Sequence, residues 1–136
     1  MKVEVFSHTA DMGLLITART LREAFQTSAL ALSSLLAQGK VWRRLKKMVE
    51  IEKPDRESLF VNFLNEIIFL FEAQRFVLKE AQILKLGKKS LKAEFWGERF
   101  SSRRHKPGIT VKAATYHGLS ISRKDGLWQI KVILDV

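Results

Sequence analysis

Apolar and polar residues alternate along this chain with two different periods. Lys2 to Phe6 alternates residue by residue and reads as a short strand. After a polar break at Ser7-His8-Thr9-Ala10-Asp11, Gly13 to Ala18 resumes as a second strand. Thr20-Leu21-Arg22-Glu23 is a capping box, and behind it Leu21, Ala24, Phe25, Ser28, Leu32, Leu35 and Leu36 recur at helical spacing. Gly39 is placed to stop that helix. Trp42 to Lys53 is basic, then strand-like from Lys47 to Glu52. Pro54-Asp55 opens a second helix with Asp55 as N-cap; its stripe is Leu59, Phe60, Phe63, Leu64, Ile67, Leu70 and Phe71, ending near Ala73. Phe76 to Leu86 reads as a long strand, turned by Gly87-Lys88-Lys89-Ser90 into another from Leu91 to Arg99. A loop from Phe100 to Thr110 holds the turn signal Pro107-Gly108. Val111 to Val136 reads as two strands joined by a tight turn at Lys124-Asp125-Gly126, the second running to the last residue.

Two helices among many strands, in the order β-β-α-β-α-β-β-β-β, predict an α+β protein with helices on a largely antiparallel sheet. The 136 residues suit one domain, and a mean hydropathy of −0.06 is ordinary for a globular protein. No glycine-rich loop joins a strand to a helix, which argues against a dinucleotide or P-loop site. No apolar run approaches the roughly 20 residues that span a bilayer, and the N-terminus has no signal-peptide pattern. With no cysteine there is no disulfide framework and no thiol nucleophile or ligand. These features predict a cytoplasmic protein with no membrane contact.

The final residues, Ile133-Leu134-Asp135-Val136, are apolar apart from one aspartate. Chain ends fray unless something ties them down, and here apolar side chains are available to do so. Asp135 would then lie beside the α-carboxylate of Val136 at the rim of a packed sheet. Such a cluster calls for a counter-charge, for which a hard divalent cation is the natural candidate. A solvated terminal aspartate is the plainer alternative. Asp11 would add a third oxygen group if its loop lies beside the C-terminus, giving a site suited to calcium, magnesium or manganese. Otherwise Asp11 is a turn residue bonding its own backbone. Spacing does not decide, because Asp11 and Asp135 lie at opposite ends of the chain.

Among the histidines, His8 sits in the polar break, His105 in a basic loop and His117 in a strand. The last two could act as bases at neutral pH, yet neither has a nearby nucleophile or carboxylate in a catalytic arrangement. Glu66, inside an apolar helix, is either an exposed or paired side chain or an acid near a site. The sequence does not read as a self-sufficient enzyme.

The formal net charge is +10. One basic cluster comprises Lys40, Arg43, Arg44, Lys46 and Lys47. A second comprises Lys85, Lys88, Lys89, Lys92, Arg99, Arg103, Arg104, Lys106 and Lys112, opposed only by Glu94 and Glu98. Such a field would attract RNA through counterion release; a lysine-rich solvated surface is the bland reading. The aromatic residues fall mostly on helix-core or strand-core positions, not on an exposed stacking platform.

Several stretches together resemble the archease family. They are His8-Thr9-Ala10-Asp11-Met12-Gly13, Leu21-Arg22-Glu23-Ala24-Phe25 followed by Ala29-Leu30-Ala31-Leu32, and Phe63-Leu64-Asn65-Glu66. The likeness continues through Leu91-Lys92-Ala93, Gly97-Glu98, His105, Val111-Lys112-Ala113 and Thr115-Tyr116-His117, and closes at Ile133-Leu134-Asp135-Val136. The resemblance implies one archease-like domain over residues 1–136, with two helices packed against a curved, largely antiparallel sheet. It also implies a cytoplasmic accessory protein, not an enzyme, that activates an RtcB-type RNA ligase. That ligase seals spliced tRNA halves and other broken RNAs after attaching GMP to its own histidine in a metal-dependent step. The archease promotes this guanylylation and repeated turnover. The family's metal ligands fall on Asp11, Asp135 and the terminal carboxylate of Val136, for calcium, magnesium or manganese. The alternative is a basic RNA-binding or chaperone-like module assisting tRNA-modifying enzymes, with tRNA or other RNA on the basic surface. The chain departs from the family in its charge of +10, where many members are acidic, and in the reduced acidic helix start Pro54-Asp55-Arg56-Glu57.

Overall fold

The computed structural model of the chain describes residues 1–7 and 11–136. The elements run β1 (Lys2–Ser7), β2 (Asp11–Ala18), α1 (Leu21–Leu36), β3 (Ala37–Gln38), β4 (Leu45–Glu52) and α2 (Arg56–Gln74). They continue with β5 (Phe76–Leu86), β6 (Ser90–Arg99), β7 (Lys106–Pro107), β8 (Ala113–Ala114), β9 (Ser120–Lys124) and β10 (Leu127–Asp135). The α+β class with two helices and antiparallel strands is as the sequence predicts, and among the described residues the strands divide into three sheets. Five strands form one sheet in the order β1-β2-β10-β8, with β9 also on β10; three form a second, β4-β6-β5; β3 and β7 pair by themselves.

Both helices start where their caps dictate. The Thr20 hydroxyl accepts from the Glu23 amide at 3.1 Å, and the Asp55 carboxylate accepts from the Ser58 amide at 2.7 Å. That amide bond holds the Asp55 carboxyl below its ordinary range. Each helix touches strands of both main sheets: α1 packs on β2 and β5, α2 on β8 and β5, and the two pack on each other. This explains why the buried positions of α2 (Leu59, Phe60, Val61, Phe63, Leu64, Ile67, Ile68 and Leu70) form no narrow stripe. A helix covered on several sides is apolar over most of its circumference. At the centre, Phe25 of α1 meets Phe60 and Phe63 of α2 at centroid separations of 5.0 and 5.6 Å, and Phe63 meets Phe95 of β6 at 5.5 Å. One aromatic stack therefore links both helices to the second sheet. No helix among the described residues is long and apolar enough to cross a membrane.

Three local expectations change. The stretch from Val111 to Lys124 is not one strand: β8 ends after Ala114, and the amide and hydroxyl of Thr115 both bond the Ile133 carbonyl, at 3.1 and 2.8 Å. The chain then turns at Tyr116-His117-Gly118 before β9 begins, so His117 lies in an exposed turn. Gly39 does not stop α1, whose C-cap is the extended Ala37. Instead Gly39, at φ +114°, lets the backbone pass the Arg104 carbonyl, into which any Cβ would run. Asp11 is the first residue of β2 and not a turn residue. The closing hairpin turns at Asp125 and Gly126, both at positive φ, as a two-residue hairpin turn requires.

Phe63→Ala should lower the unfolding free energy by about 3–5 kcal/mol, because it removes the ring shared by α1, α2 and β6. Urea denaturation of the two proteins measures the difference.

Candidate functional site

β10 occupies the middle of the larger sheet. It pairs antiparallel with β2 along one edge, and with β9 and then β8 along the other. The β2 ladder matches Ile130 to Ile16, Val132 to Leu14 and Leu134 to Met12, and it ends by matching Asp135 to Asp11. Strand alternation places Ile130, Val132, Leu134, Leu14 and Ile16 in the core, all fully buried. Asp11 and Asp135 therefore share the opposite face. Directly paired antiparallel residues hold their Cβ atoms about 4.5–5.5 Å apart, so two carboxylates from the far ends of the sequence meet there. Among the described residues neither carboxylate makes an ion pair. Like charges directly opposed across a ladder repel, and a cation placed between them would relieve that repulsion.

Several contacts hold this end of β10. The Lys112 amide donates to the Asp135 carbonyl at 2.7 Å, and the Val136 side chain packs on the core. Asn65 of α2 acts as a substitute strand for β8: the Ala114 amide donates to its Oδ1 at 2.7 Å, and its Nδ2 donates to the Ala114 carbonyl at 3.3 Å. The sequence offers Asn65 only as part of the stretch Phe63-Leu64-Asn65-Glu66, yet it anchors the strand that pairs with Leu134 and Asp135. The turn at Tyr116-His117-Gly118 comes down toward Ile133, the neighbour of Asp135 on the same face. On β2, Gly13 leaves room for the Phe6 ring, which covers the position a Cβ would take. No three His, Cys, Asp or Glu side chains gather around one point among the described residues.

The remaining candidates are placed elsewhere. His8, with Thr9 and Ala10, lies outside the described residues. Glu66 is half-buried on α2. His105 is buried in a clamp that the sequence did not reveal. Its Nδ1 accepts from the Ser101 amide at 3.0 Å, so the proton sits on Nε2, which faces the Lys40 carbonyl at 3.1 Å and Glu98 Oε2 at 3.2 Å. Glu98 also accepts from the Trp42 amide at 2.7 Å and from the Arg104 guanidinium. Burial pushes the Glu98 carboxyl up, but the Trp42 amide and the Arg104 charge outweigh it and hold the group below its ordinary range. The clamp ties the basic segments around Lys40 and Arg104 to β6.

Comparison with known proteins supplies the context. Residues 4–136 match the Archease protein family. The chain is 35% identical over 138 residues to "Protein archease" of Pyrococcus furiosus, covering 98% of this chain and 97% of that one. It is 32% identical over 140 residues to "Protein archease" of Methanosarcina mazei, covering 99% and 96%. The solution structure of protein 1598 from Methanobacterium thermoautotrophicum superposes with a TM-score of 0.80 at 30% identity, covering 98% of each chain. The crystal structure from Thermotoga maritima described as an archease and possible chaperone shares the fold, with a TM-score of 0.68 at 23% identity, covering 100% of this chain and 98% of that one.

Asp135→Asn removes one of two opposed charges, so in the presence of a chelator it should raise stability by about 0.2–1 kcal/mol; chemical denaturation reads the change. Glu98→Gln should cost about 2–3 kcal/mol at neutral pH, since it discards a buried, charge-assisted network. Because the folded carboxyl sits below its ordinary value of 4.5, this stabilisation is complete above that value and disappears as pH falls through the lower folded one. The gap between wild type and Glu98→Gln should accordingly close in acid.

Proposed function

This chain belongs to the archease family, and from that premise we propose that it is an accessory factor for an RtcB-type RNA ligase. In this reading it binds a divalent cation (calcium, magnesium or manganese) through Asp11, Asp135 and the α-carboxylate of Val136. It promotes guanylylation of the ligase's own histidine and repeated turnover in tRNA splicing and RNA repair.

The observation that carries the reading is the pairing of Asp135 with Asp11 at the end of the β2–β10 ladder. The donor set is all oxygen and anionic, which suits a hard cation and not a soft one. The strand ladder fixes both carboxylates on one face, and the bonds from Lys112 and Thr115 keep the end of β10 from fraying. When bound, a divalent ion there supplies positive charge that can offset phosphate oxygens during nucleotidyl transfer. The chain's own part is to hold and orient the oxygen ligands. The catalytic histidine belongs to the ligase, and His105 here has both ring nitrogens engaged in the Glu98 clamp.

The test is ligase guanylylation with and without this protein, repeated with Asp135→Ala and with one residue appended after Val136. Both variants should lose stimulation by about 10–100-fold, as disturbing a metal's ligand shells does. Cation uptake by calorimetry should be lost in parallel. Full stimulation by both variants, or no heat of cation binding by the wild type, would rule the mechanism out.

A further inference from the structure

In the other sheet, away from the paired aspartates, several basic residues form a site of their own. Beneath the helices the inner face of β4 and β6 is apolar, with Val49, Leu91, Ala93 and Phe95 buried. α2 ends at Gln74, while β4 and β6 run past it, so the next inner-face positions are Lys47, Leu45 and Arg99. Together with Arg75, the left-handed C-cap of α2, and Phe76 they line an open cleft of about 360 Å³. Three cations face this cleft and no carboxylate lines it. Among the described residues none of the three makes an ion pair. The C-terminus of α2 contributes only about half a negative charge, which leaves the cleft strongly positive.

Trp42 stands at the same end of the β4–β6 pair but on the other side of the sheet, where alternation puts Glu98 and Trp96 opposite Arg99, so the two features meet around the free edge of β4. Its amide is held by Glu98, and its ring lies under the guanidinium groups of Arg44 at 4.1 Å and Arg104 at 4.5 Å. Beside it Arg43 stacks on Trp96 at 3.6 Å. Arg43, Lys46 and Arg104 are balanced by Glu80, Glu94 and Glu98, whereas among the described residues Arg44 makes no ion pair. The aromatic residues that the sequence assigned mostly to core positions thus include a surface Trp–Arg stack, with Trp42 37% exposed.

We propose that this end of the β4-β6-β5 sheet is a docking surface for single-stranded RNA. Backbone phosphates occupy the cleft of Lys47, Arg75 and Arg99, and bases stack against Trp42 and its flanking guanidinium groups. Charge alone would suit any polyanion. The aromatic ring interleaved with guanidinium planes is what selects a nucleic acid, whose unstacked bases use such surfaces. The surface is independent of the aspartate pair, so either can fail without the other.

Fluorescence anisotropy of a labelled single-stranded oligoribonucleotide across a salt series tests this. The double variant Lys47→Ser, Arg99→Ser should bind at least about tenfold more weakly near 50 mM salt, with a log–log salt slope shallower by about 1.4, the value for two lost phosphate contacts. A charge-matched control, Lys88→Ser in the β5–β6 turn with Lys124→Ser at the end of β9, should change affinity by less than about twofold. Trp42→Ala leaves the amide bond to Glu98 in place and should weaken binding about tenfold with the slope unchanged. The proposal is overturned if the wild type does not bind at low salt or if the control loses as much as the cleft variant. It is also overturned if polyglutamate competes as well as RNA at equal charge, which would mark the surface as one for an acidic protein.

Discussion

The register of β10 against β2 is the constraint on which the rest of this molecule depends. Side chains alternate across a strand, so a slip of one residue would turn Ile130, Val132 and Leu134 out of the core and Asp135 into it. The cost of that exchange, several buried aliphatic side chains plus an unpaired buried charge, leaves one register available. In that register the last ladder pair is Asp135 with Asp11. Hydrophobic burial thereby brings together two groups that electrostatics alone would keep apart.

The helices serve this arrangement by joining the two main sheets. The Phe25, Phe60, Phe63 and Phe95 contacts give the interior a common aromatic centre. Asn65 extends α2's influence to β8 through a pair of backbone bonds that imitate a strand partner. Removing a residue of this type leaves buried or half-buried backbone groups unsatisfied. Its role is therefore tied to the aspartate pair even though it touches neither carboxylate.

Charge is distributed with equal economy. The acidic pair faces away from the core on the larger sheet, while Lys47, Arg75 and Arg99 line the cleft where β4 and β6 outrun α2. Between the basic segments lies the buried Glu98, satisfied by Trp42, Arg104 and His105. A buried carboxylate is tolerable only when paired and hydrogen-bonded. Here those partners also fix the loop that carries Arg43 and Arg44, so a structural network sets the display of surface guanidinium groups.

Local patterns in the sequence determined the elements: the capping residues Thr20 and Asp55, the span Phe76–Leu86, the turn at Asp125-Gly126 and the α+β class follow from short-range physics that any segment carries with it. The motifs likewise marked Asp11, Asp135 and Val136, because a family resemblance is itself a local pattern. Which strands become neighbours depends on contacts between residues far apart in sequence, and periodicity does not encode the partner. Tertiary structure alone decided that β10 lies between β2 and β8, and that Asp11 faces Asp135. It alone decided that the stretch before the last hairpin breaks at Tyr116, and that Gly39 serves a close approach to Arg104 and not a helix end. The Glu98–His105 clamp and the Trp42 stack were invisible for the same reason: each is assembled from segments that only the folded chain brings within hydrogen-bond reach.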